Sequence, residues 1–228
     1  MEIIFILVEP AREENIGAAA RAMKTMGFAN LRLVNPGNHL GERAFATAHA
    51  STEILEQAMV FNTLEDAIFD IDLVVGSAAK HRNVKNDYHW VGDLPKILNE
   101  KGGSVNTVAI VFGREESGLS NDELALCHLL TTIPMRSKYP SLNLGQAVMV
   151  YAYELSKINL TYSRRKEHAV TIGEYAVARQ RLSDLLTDVG LEMKIQNRIV
   201  ERFALLGEED ISLFHRFCQK YLRRNSGE

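Results

Sequence analysis

A ten-residue segment, 139–148, carries the clearest candidate for chemistry in the sequence. It reads Tyr-Pro-Ser-Leu-Asn-Leu-Gly-Gln-Ala-Val, a short polar turn that runs directly into an apolar helix. Ser141 or Asn143 can cap the start of that helix through a side-chain oxygen, and the unpaired N–H groups of a helix start suit a polar ligand. Ser and Asn before a helix are most often caps, so the segment alone does not separate a cap from a site.

Two segments nearer the amino terminus have the same character. The first, 15–22, contains Gly17, which is unfavourable in the first turn of a helix unless another group must approach closely. The second, 112–120, has Gly113 directly after a buried strand, where glycine often marks a tight turn or a ligand approach. The plain alternatives are a surface helix and a flexible charged loop. Both phosphate-loop fingerprints, GxxxxGK[ST] and GxGxxG, are absent from the sequence.

The hydrophobic pattern predicts an α/β fold with a parallel sheet, because buried strands alternate with helices. In such sheets, ligands bind beyond the carboxyl ends of the strands. The candidate loops all follow predicted strands, so we expect them to gather at one edge. Strands are predicted at 2–9, 30–35, 59–61, 72–77, 107–112 and 130–134. Helices are predicted at 16–26 with Asn15 as cap, and at 44–58, 64–69, 93–100, 121–127 and 141–158, with a loop at 80–90.

The chain is predicted to divide into a sheet domain, 1–160, a polar linker, 161–170, and a helical extension, 171–228. Helices in the extension are predicted at 171–186, 191–206 and 208–223. The linker and extension together carry 12 Lys and Arg against 10 Asp and Glu, within a chain of net charge −3. This balance argues against a uniformly basic nucleic-acid binder but permits a local basic patch.

The composition, 46% hydrophobic and 24% charged, is ordinary for a globular protein. Cys127 and Cys218 stand far apart, so we expect two reduced thiols and a cytoplasmic protein. No CxxC or HExxH spacing is present, so no metal site is expected. No apolar run reaches membrane-spanning length, and the amino terminus lacks the features of a signal peptide.

In their order and spacing, the three segments resemble the SPOUT class of methyltransferases, in the TrmH-like branch that includes TrmJ and LasT. The resemblance covers about residues 1–158 and is close along the first and third segments. It implies a parallel-sheet SPOUT fold with a C-terminal trefoil knot, followed here by the small helical extension. It also implies a homodimer with the site at the subunit interface. The implied reaction transfers a methyl group from S-adenosyl-L-methionine to a ribose 2′-hydroxyl of RNA and leaves S-adenosyl-L-homocysteine.

The resemblance also assigns residues to roles. The cofactor would be lined by Ser77, Ala78, Ala79, Gly113, Ile133, Ser141, Leu142 and Asn143. The reacting hydroxyl would lie near Asn15, Arg21, Glu115 and Ser141. On predicted loops at strand ends, Arg12, Arg82 and Arg114 are expected to bind RNA. Tyr88, His89 and Trp90 could stack bases, although a solvated loop with one partly buried Trp is the favoured interpretation.

Several alternatives remain open at this level. Arg21 could act as a base, hold an RNA phosphate or stabilise the developing alkoxide, although arginine keeps its proton in nearly all proteins. The substrate is expected to be tRNA, as for TrmJ-like enzymes that modify the anticodon loop. An rRNA methyltransferase and a non-catalytic RNA-binding protein of the same fold are the alternatives. The helix face at 147–155 could form a dimer contact or simply pack into the core.

Overall fold

The computed structural model describes residues 1–79, 87–136, 141–162 and 173–225. Within these ranges the chain forms one seven-stranded parallel sheet, which confirms the predicted α/β class. The strands are β1 (Glu2–Val8), β2 (Leu31–Val34), β3 (Met59–Phe61), β4 (Leu73–Ser77), β5 (Tyr88–Trp90), β6 (Thr107–Phe112) and β7 (Leu129–Thr132). Their order across the sheet is β3-β2-β1-β6-β4-β7-β5.

Helices cover both faces of this sheet. Those of the first 162 residues are α1 (Glu13–Thr25), α2 (Glu42–Ala48), α3 (Thr52–Glu56), α4 (Leu64–Ala67), α5 (Leu94–Glu100), α6 (Asn121–Leu126) and α7 (Leu144–Tyr162). The extension contributes α8 (Glu174–Val189), α9 (Met193–Phe203) and α10 (Glu208–Asn225). Within the described ranges, no helix combines the length and the apolar character needed to cross a membrane.

Strands β1, β6 and β4 form the centre of the sheet because apolar residues fill both of their faces. Successive side chains of a strand point to opposite faces. On β1, Phe5 and Leu7 therefore join the cluster that includes α1 and α7, whereas Ile4 and Ile6 join the cluster that includes α4 and α6. The rings of Phe5 and Phe112 stack between the paired strands β1 and β6, with centroids 6.2 Å apart.

Two helix predictions in the amino-terminal half of the chain are wrong. Asn15 was expected to cap α1, but the helix begins at Glu13 and Asn15 lies within its first turn, 6% exposed. The single helix expected at 44–58 is broken into α2 and α3 by a 3-10 turn at His49–Ser51, where His49 has a φ of 50°. A side chain with positive φ cannot continue an α-helix, so the apolar pattern alone overestimated the helix.

Two further boundaries differ from the prediction. Residues 88–90 were expected in a loop but form β5, which pairs in parallel with β7. Their partner lies about forty residues later in the chain, so no local pattern indicates the strand. Helix α7 begins at Leu144 rather than at residue 141 and continues to Tyr162.

The carboxy-terminal helices α8 and α9 pack against the rest of the chain through the cluster that also includes α1 and α7, to which Tyr175 and Phe203 belong. The buried Lys101 donates hydrogen bonds from Nζ to the carbonyl oxygens of Ala204 and Leu206, both at 2.6 Å. These carbonyls follow the end of α9, where backbone oxygens lack helical partners. Burial lowers the pKa of Lys101 to about 8. The predicted linker falls largely at 163–170, outside the described residues, so the division into domains stays a prediction.

Strand β7 lies between β4 and β5, although it follows both of them in the chain. Residues 78–87 join β4 to β5, and 80–86 lie outside the described residues. Insertion of a late strand between two earlier ones is consistent with the expected trefoil knot. The threading itself stays a prediction.

Gly17 allows α1 to approach α2 closely. The sequence predicted a close approach at this glycine but did not identify the approaching group. A Cβ atom at this position would stand 2.1 Å from the carbonyl oxygen of Ala44 and 2.1 Å from Oγ1 of Thr47. The group that approaches is therefore a helix backbone. Because α1 carries Asn15, this contact helps to fix one part of the site described below.

We expect Gly17→Ala to lower the free energy of unfolding by about 1–3 kcal/mol, the usual cost of overpacking. The Thr47 side chain can rotate away from the added methyl group, but the Ala44 carbonyl cannot. Urea titration monitored by circular dichroism measures the change. Gly92→Ala is the matched control, since a Cβ there meets no atom within 4 Å and should change stability by less than about 0.5 kcal/mol. Equal stability of the two variants would contradict the close approach.

Candidate active site

A cavity of about 390 Å³ lies beyond the carboxyl ends of β4 and β6, beside the start of α7. This is the edge at which the sequence predicted a ligand site. The cavity is lined by six of the eight residues assigned to the cofactor: Ser77, Ala78, Ala79, Gly113, Ser141 and Leu142. Of the other two, Ile133 packs against the hydrophobic core, and Asn143 joins a hydrogen-bonded chain beside the cavity.

That chain links three segments far apart in sequence. Nδ2 of Asn143 donates to Oδ1 of Asn15 at 2.7 Å, and Nδ2 of Asn15 donates to Oε1 of Glu115 at 2.8 Å. Each Asn therefore has its amide orientation defined by its neighbour. The structure thus brings together Asn143, which the resemblance assigned to the cofactor, with Asn15 and Glu115, which it assigned to the reacting hydroxyl.

Glu115 also receives backbone hydrogen bonds from the loop between β1 and α1. The N–H groups of Ala11 and Arg12 donate to its carboxylate oxygens at 3.1 and 3.3 Å. Burial pushes the pKa of Glu115 upward, but the hydrogen bonds from Asn15 and from these backbone groups outweigh it, and the net pKa is lowered from 4.5. Glu115 is therefore a carboxylate at neutral pH and cannot serve as a proton donor.

The start of α7 shows which of the two candidate residues, Ser141 and Asn143, caps the helix. Oδ1 of Asn143 accepts the N–H of Gly145 at 2.9 Å, and Oε1 of Gln146 accepts the N–H of Asn143 at 3.1 Å. This reciprocal pair caps the helix. Ser141 is exposed, lines the cavity and is left free of the capping role. Asn143 therefore caps α7 and also donates a hydrogen bond to Asn15.

Arg21 lies away from the cavity of its own chain. It is exposed on α1, six residues after Asn15, which places it about 9 Å farther along the helix and about 120° around it. Within the described residues, no hydrogen bond or ion pair holds its guanidinium group. The sequence assigned Arg21 to the reacting hydroxyl, and one copy of the chain does not bring the two together.

The predicted RNA-binding residues have different surroundings. Arg12 is exposed at the start of α1, and Arg82 lies outside the described residues. Arg114 is held between two carboxylates: Glu9 bonds its Nε and Nη2, and Glu123 bonds its Nη1 and Nη2. Hydrogen bonds to Arg114 lower the pKa of Glu9, and hydrogen bonds to both carboxylates raise the pKa of Arg114. RNA contact by these residues stays a prediction.

The segment considered for base stacking is partly exposed. Trp90 is 54% exposed on the edge strand β5, whereas Tyr88 packs against the second hydrophobic cluster. The solvated-loop interpretation is wrong in its secondary structure but right for the access of Trp90 to solvent. Among the described residues, no group of three or more His, Cys, Asp and Glu could hold a metal ion.

Sequence reasoning missed some of the cavity wall. Phe112 and Leu144 line the cavity and lie within the second and third segments, beside Gly113 and Asn143, but neither was assigned to the cofactor. Leu119, in the second segment, and Leu124, in α6, also line it, but a buried Leu is typical of an ordinary core position. Glu9 was missed because its role depends on Arg114, more than one hundred residues later.

Comparison with known proteins identifies the family. The model described as the SpoU rRNA Methylase family matches residues 2–153. The uncharacterized tRNA/rRNA methyltransferase LasT of Escherichia coli K12 is 42% identical over 218 residues, covering 95% of each chain. The tRNA (cytidine/uridine-2′-O-)-methyltransferase TrmJ of Citrobacter koseri is 41% identical over 170 residues, covering 73% of this chain and 68% of that one.

Solved structures agree with these relatives. A probable methylase family protein from Haemophilus influenzae Rd KW20 has a TM-score of 0.68 and 30% identity, covering 98% of this chain and 97% of that one. TrmJ from Z. mobilis ZM4 has a TM-score of 0.64 and 28% identity, covering 97% and 99%. The resemblance drawn from the three sequence segments is confirmed.

We expect Glu115→Gln to lower the free energy of unfolding by about 1 kcal/mol at pH 7, since a neutral amide replaces a carboxylate that accepts three hydrogen bonds. Because the pKa of Glu115 is lowered in the fold, its stabilisation is present above pH 4.5 and is lost as the pH falls through the folded value. Denaturant titrations at pH 7 and pH 3.5 should therefore show the difference from wild type shrinking in acid. The exposed neighbour Glu116→Gln is the control and should match wild type at both pH values. A difference that is independent of pH would exclude the charge as its cause.

Proposed function

The chain belongs to the SpoU rRNA methylase family, and we propose that it transfers a methyl group from S-adenosyl-L-methionine to a ribose 2′-hydroxyl of tRNA. The observation that supports this most is the convergence of six sequence-assigned cofactor residues on one cavity, beside Asn15, Glu115 and Asn143. The choice of tRNA rests on the relatives named TrmJ, which are tRNA (cytidine/uridine-2′-O-)-methyltransferases. Cys127 and Cys218 are buried and form no disulfide, which suits a cytoplasmic site of action.

The cavity fits such a cofactor. Its volume of about 390 Å³ lies within the range of about 300–1,000 Å³ typical of small-molecule sites. Ser77, Ala78 and Ala79 are small residues at the end of β4 and directly after it, which leaves room for an adenosine moiety, and Ser141 and Leu142 also line the cavity. S-adenosyl-L-methionine supplies an activated methyl group on a sulfonium sulfur, and S-adenosyl-L-homocysteine would leave the same cavity.

The residues beside the cavity serve orientation more than proton transfer. A ribose hydroxyl attacks only when it is aligned with the methyl group and its proton can depart. Asn15 and Asn143 are fixed by their mutual hydrogen bond and by Glu115, so they can present polar atoms to a ribose without reorganising. The lowered pKa of Glu115 makes it a weak base, which favours this orienting role.

We further propose that the active unit is a homodimer in which Arg21 of one subunit completes the site of the other. Arg21 is exposed on α1, which packs against α7. On the 147–155 face of α7, Tyr151, Ala152 and Leu155 are buried in the core, but Tyr153 is 53% exposed. Exposed residues on these two adjacent helices offer a surface for a second copy. Since arginine stays protonated, Arg21 would hold an RNA phosphate or stabilise the developing alkoxide.

Methyl transfer is tested with purified protein, isotopically labelled S-adenosyl-L-methionine, and separated tRNA and rRNA from cells that lack the gene. Label in tRNA as a 2′-O-methyl nucleoside is the expected result, and nuclease digestion then locates the nucleotide. Label in rRNA alone would retain the chemistry and overturn the substrate. Cofactor binding without label in either RNA would favour a non-catalytic RNA-binding protein, and the absence of cofactor binding would overturn the proposal.

We expect Arg21→Ala to reduce turnover by about 100-fold or more while the dissociation constant of S-adenosyl-L-homocysteine stays within about twofold, because a transition-state contact is lost and the cofactor cavity is not touched. Single-turnover assays and calorimetry measure the two quantities. Arg43→Ala is the control, since that side chain is 77% exposed on α2 and should leave both unchanged. Wild-type turnover in Arg21→Ala would refute the role of this arginine.

Mixed dimers test whether Arg21 acts across the interface. Arg21→Ala and Asn143→Ala should each be nearly inactive alone. If Arg21 serves the partner's cavity, refolding the two together creates one intact site in each mixed dimer, and about a quarter of wild-type activity should return. If Arg21 serves its own cavity, no mixed dimer has an intact site and activity stays lost.

A further inference from the structure

Arg114 has every guanidinium N–H group engaged. Nε donates to Oε2 of Glu9 at 2.9 Å, and Nη2 donates to Oε1 of Glu9 at 2.8 Å. Nη1 and Nη2 donate to the two oxygens of Glu123, both at 3.0 Å, and Nη1 also contacts the carbonyl oxygen of Gly118 at 3.4 Å. An arginine has five such donors, and here five contacts use them. This arrangement leaves little capacity to bind an RNA phosphate, the role predicted from sequence.

The loop that Arg114 belongs to forms one wall of the cavity. Its two ends are closed by backbone hydrogen bonds between Arg114 and Gly118, at 3.2 and 2.8 Å. Gly118 has a φ of +69°, which favours glycine, and a Cβ on Gly113 would stand 2.1 Å from the carbonyl carbon of Gly118. The loop is therefore tight, and its glycines are required by its own turn.

Two adjacent side chains connect this loop to neighbouring segments. Arg114 reaches Glu9, at the end of β1, and Glu123, in the first turn of α6. Glu115 reaches the loop between β1 and α1. Glu9 itself has a φ of 46°, an unusual value for a side chain larger than Asn. Because Arg114 holds Glu9 in this unfavourable backbone conformation, the surrounding structure determines the backbone conformation at this position.

Partly exposed ion pairs contribute little to global stability, typically less than about 1 kcal/mol each. The side chains of Arg114 and Glu9 are 28% and 42% exposed. The main consequence of the network is therefore expected in the shape of the 113–118 loop and in whatever contacts it, and only weakly in the stability of the whole fold.

We propose that Arg114 is a positioning residue, which holds the 113–118 loop in the conformation that accepts S-adenosyl-L-methionine, and that it does not bind RNA. The proposal rests on the proposed function, because it assumes that this cofactor occupies the cavity. Without the ion pairs of Arg114, the loop would adopt several conformations. Only molecules in the conformation that accepts the cofactor would bind it, so the apparent affinity would fall in proportion to their population.

The test compares Arg114→Gln with Arg32→Gln. Arg32 is also held by a carboxylate in two-point contact, Asp70, at 2.5 and 2.9 Å, but it lies on β2, away from the cavity. Calorimetry with S-adenosyl-L-homocysteine should show about tenfold weaker binding for Arg114→Gln and a change within twofold for Arg32→Gln. Arg114→Lys should also bind weakly, because an ammonium group cannot bridge two carboxylates in this geometry. Unchanged affinity in Arg114→Gln would overturn the proposal.

The salt dependence of tRNA binding distinguishes a positioning role of Arg114 from direct contact with an RNA phosphate. If Arg114 contacts a phosphate, Arg114→Gln should reduce the slope of log affinity for tRNA against log salt concentration by about one. The positioning role predicts an unchanged slope, measured without cofactor by filter binding. A reduced slope with unchanged affinity for S-adenosyl-L-homocysteine would return Arg114 to its RNA-binding assignment.

A third readout is independent of the cofactor. Amide hydrogen exchange in the ligand-free protein should accelerate at 113–120 in Arg114→Gln and not in Arg32→Gln. Wild-type protein that binds no S-adenosyl-L-homocysteine would refute the proposed function, whereas equal exchange in both variants would refute the positioning role. Should either arginine variant fail to fold, Glu9→Gln and Asp70→Asn repeat the comparison by removing one carboxylate charge from each network.

Discussion

The carboxylate of Glu115 is the interaction on which the candidate site depends. It accepts N–H groups from Ala11, Arg12 and Asn15, and through Asn15 it reaches Asn143 at the start of α7. One negative charge therefore connects the segments that follow β1 and β6 with the start of α7. The sheet already fixes β1 and β6 relative to each other, and the hydrogen bonds of Glu115 and Asn15 connect both strand ends to the start of α7.

The surrounding fold makes this arrangement possible by bringing backbones close together. Gly17 lets α2 contact α1, and a Cβ at Gly145 would stand 2.7 Å from Cβ of Ala18, so α7 also lies close to α1. Apolar packing supplies the stability of these contacts, since Ile16 and Val148 are fully buried. Apolar packing is not directional, whereas the hydrogen bonds between Asn143, Asn15 and Glu115 fix the orientation of these side chains. Such orientation is expected where a ligand must be aligned.

The sequence predicts those features whose cause is local. The central strands β1, β4 and β6 are continuous apolar runs, so the sequence predicted them. Six of the eight residues that the family resemblance assigned to the cofactor line the cavity, whereas other parts of its wall were missed. The role of Arg114 could not be found, because its partners Glu9 and Glu123 adjoin it only after β1, β6 and α6 have packed. Asn15 looked like a helix cap for the same reason: an Asn near a helix start is most often a cap, and its actual partners are about one hundred residues away or farther.

The position of β7 between β4 and β5 has a consequence for how the chain folds. Residues 88–90 leave the ribosome before their only sheet neighbour in the described structure, Leu129–Thr132, has been synthesised. Pairing of segments about forty residues apart has a loop-closure cost, and the logarithm of the folding rate falls as contact order rises. The edge of β4 stays unpaired during this interval and could pair with other chains. The cavity is completed later still, because Ser141, Leu142 and Leu144 line it and follow β7 in the chain.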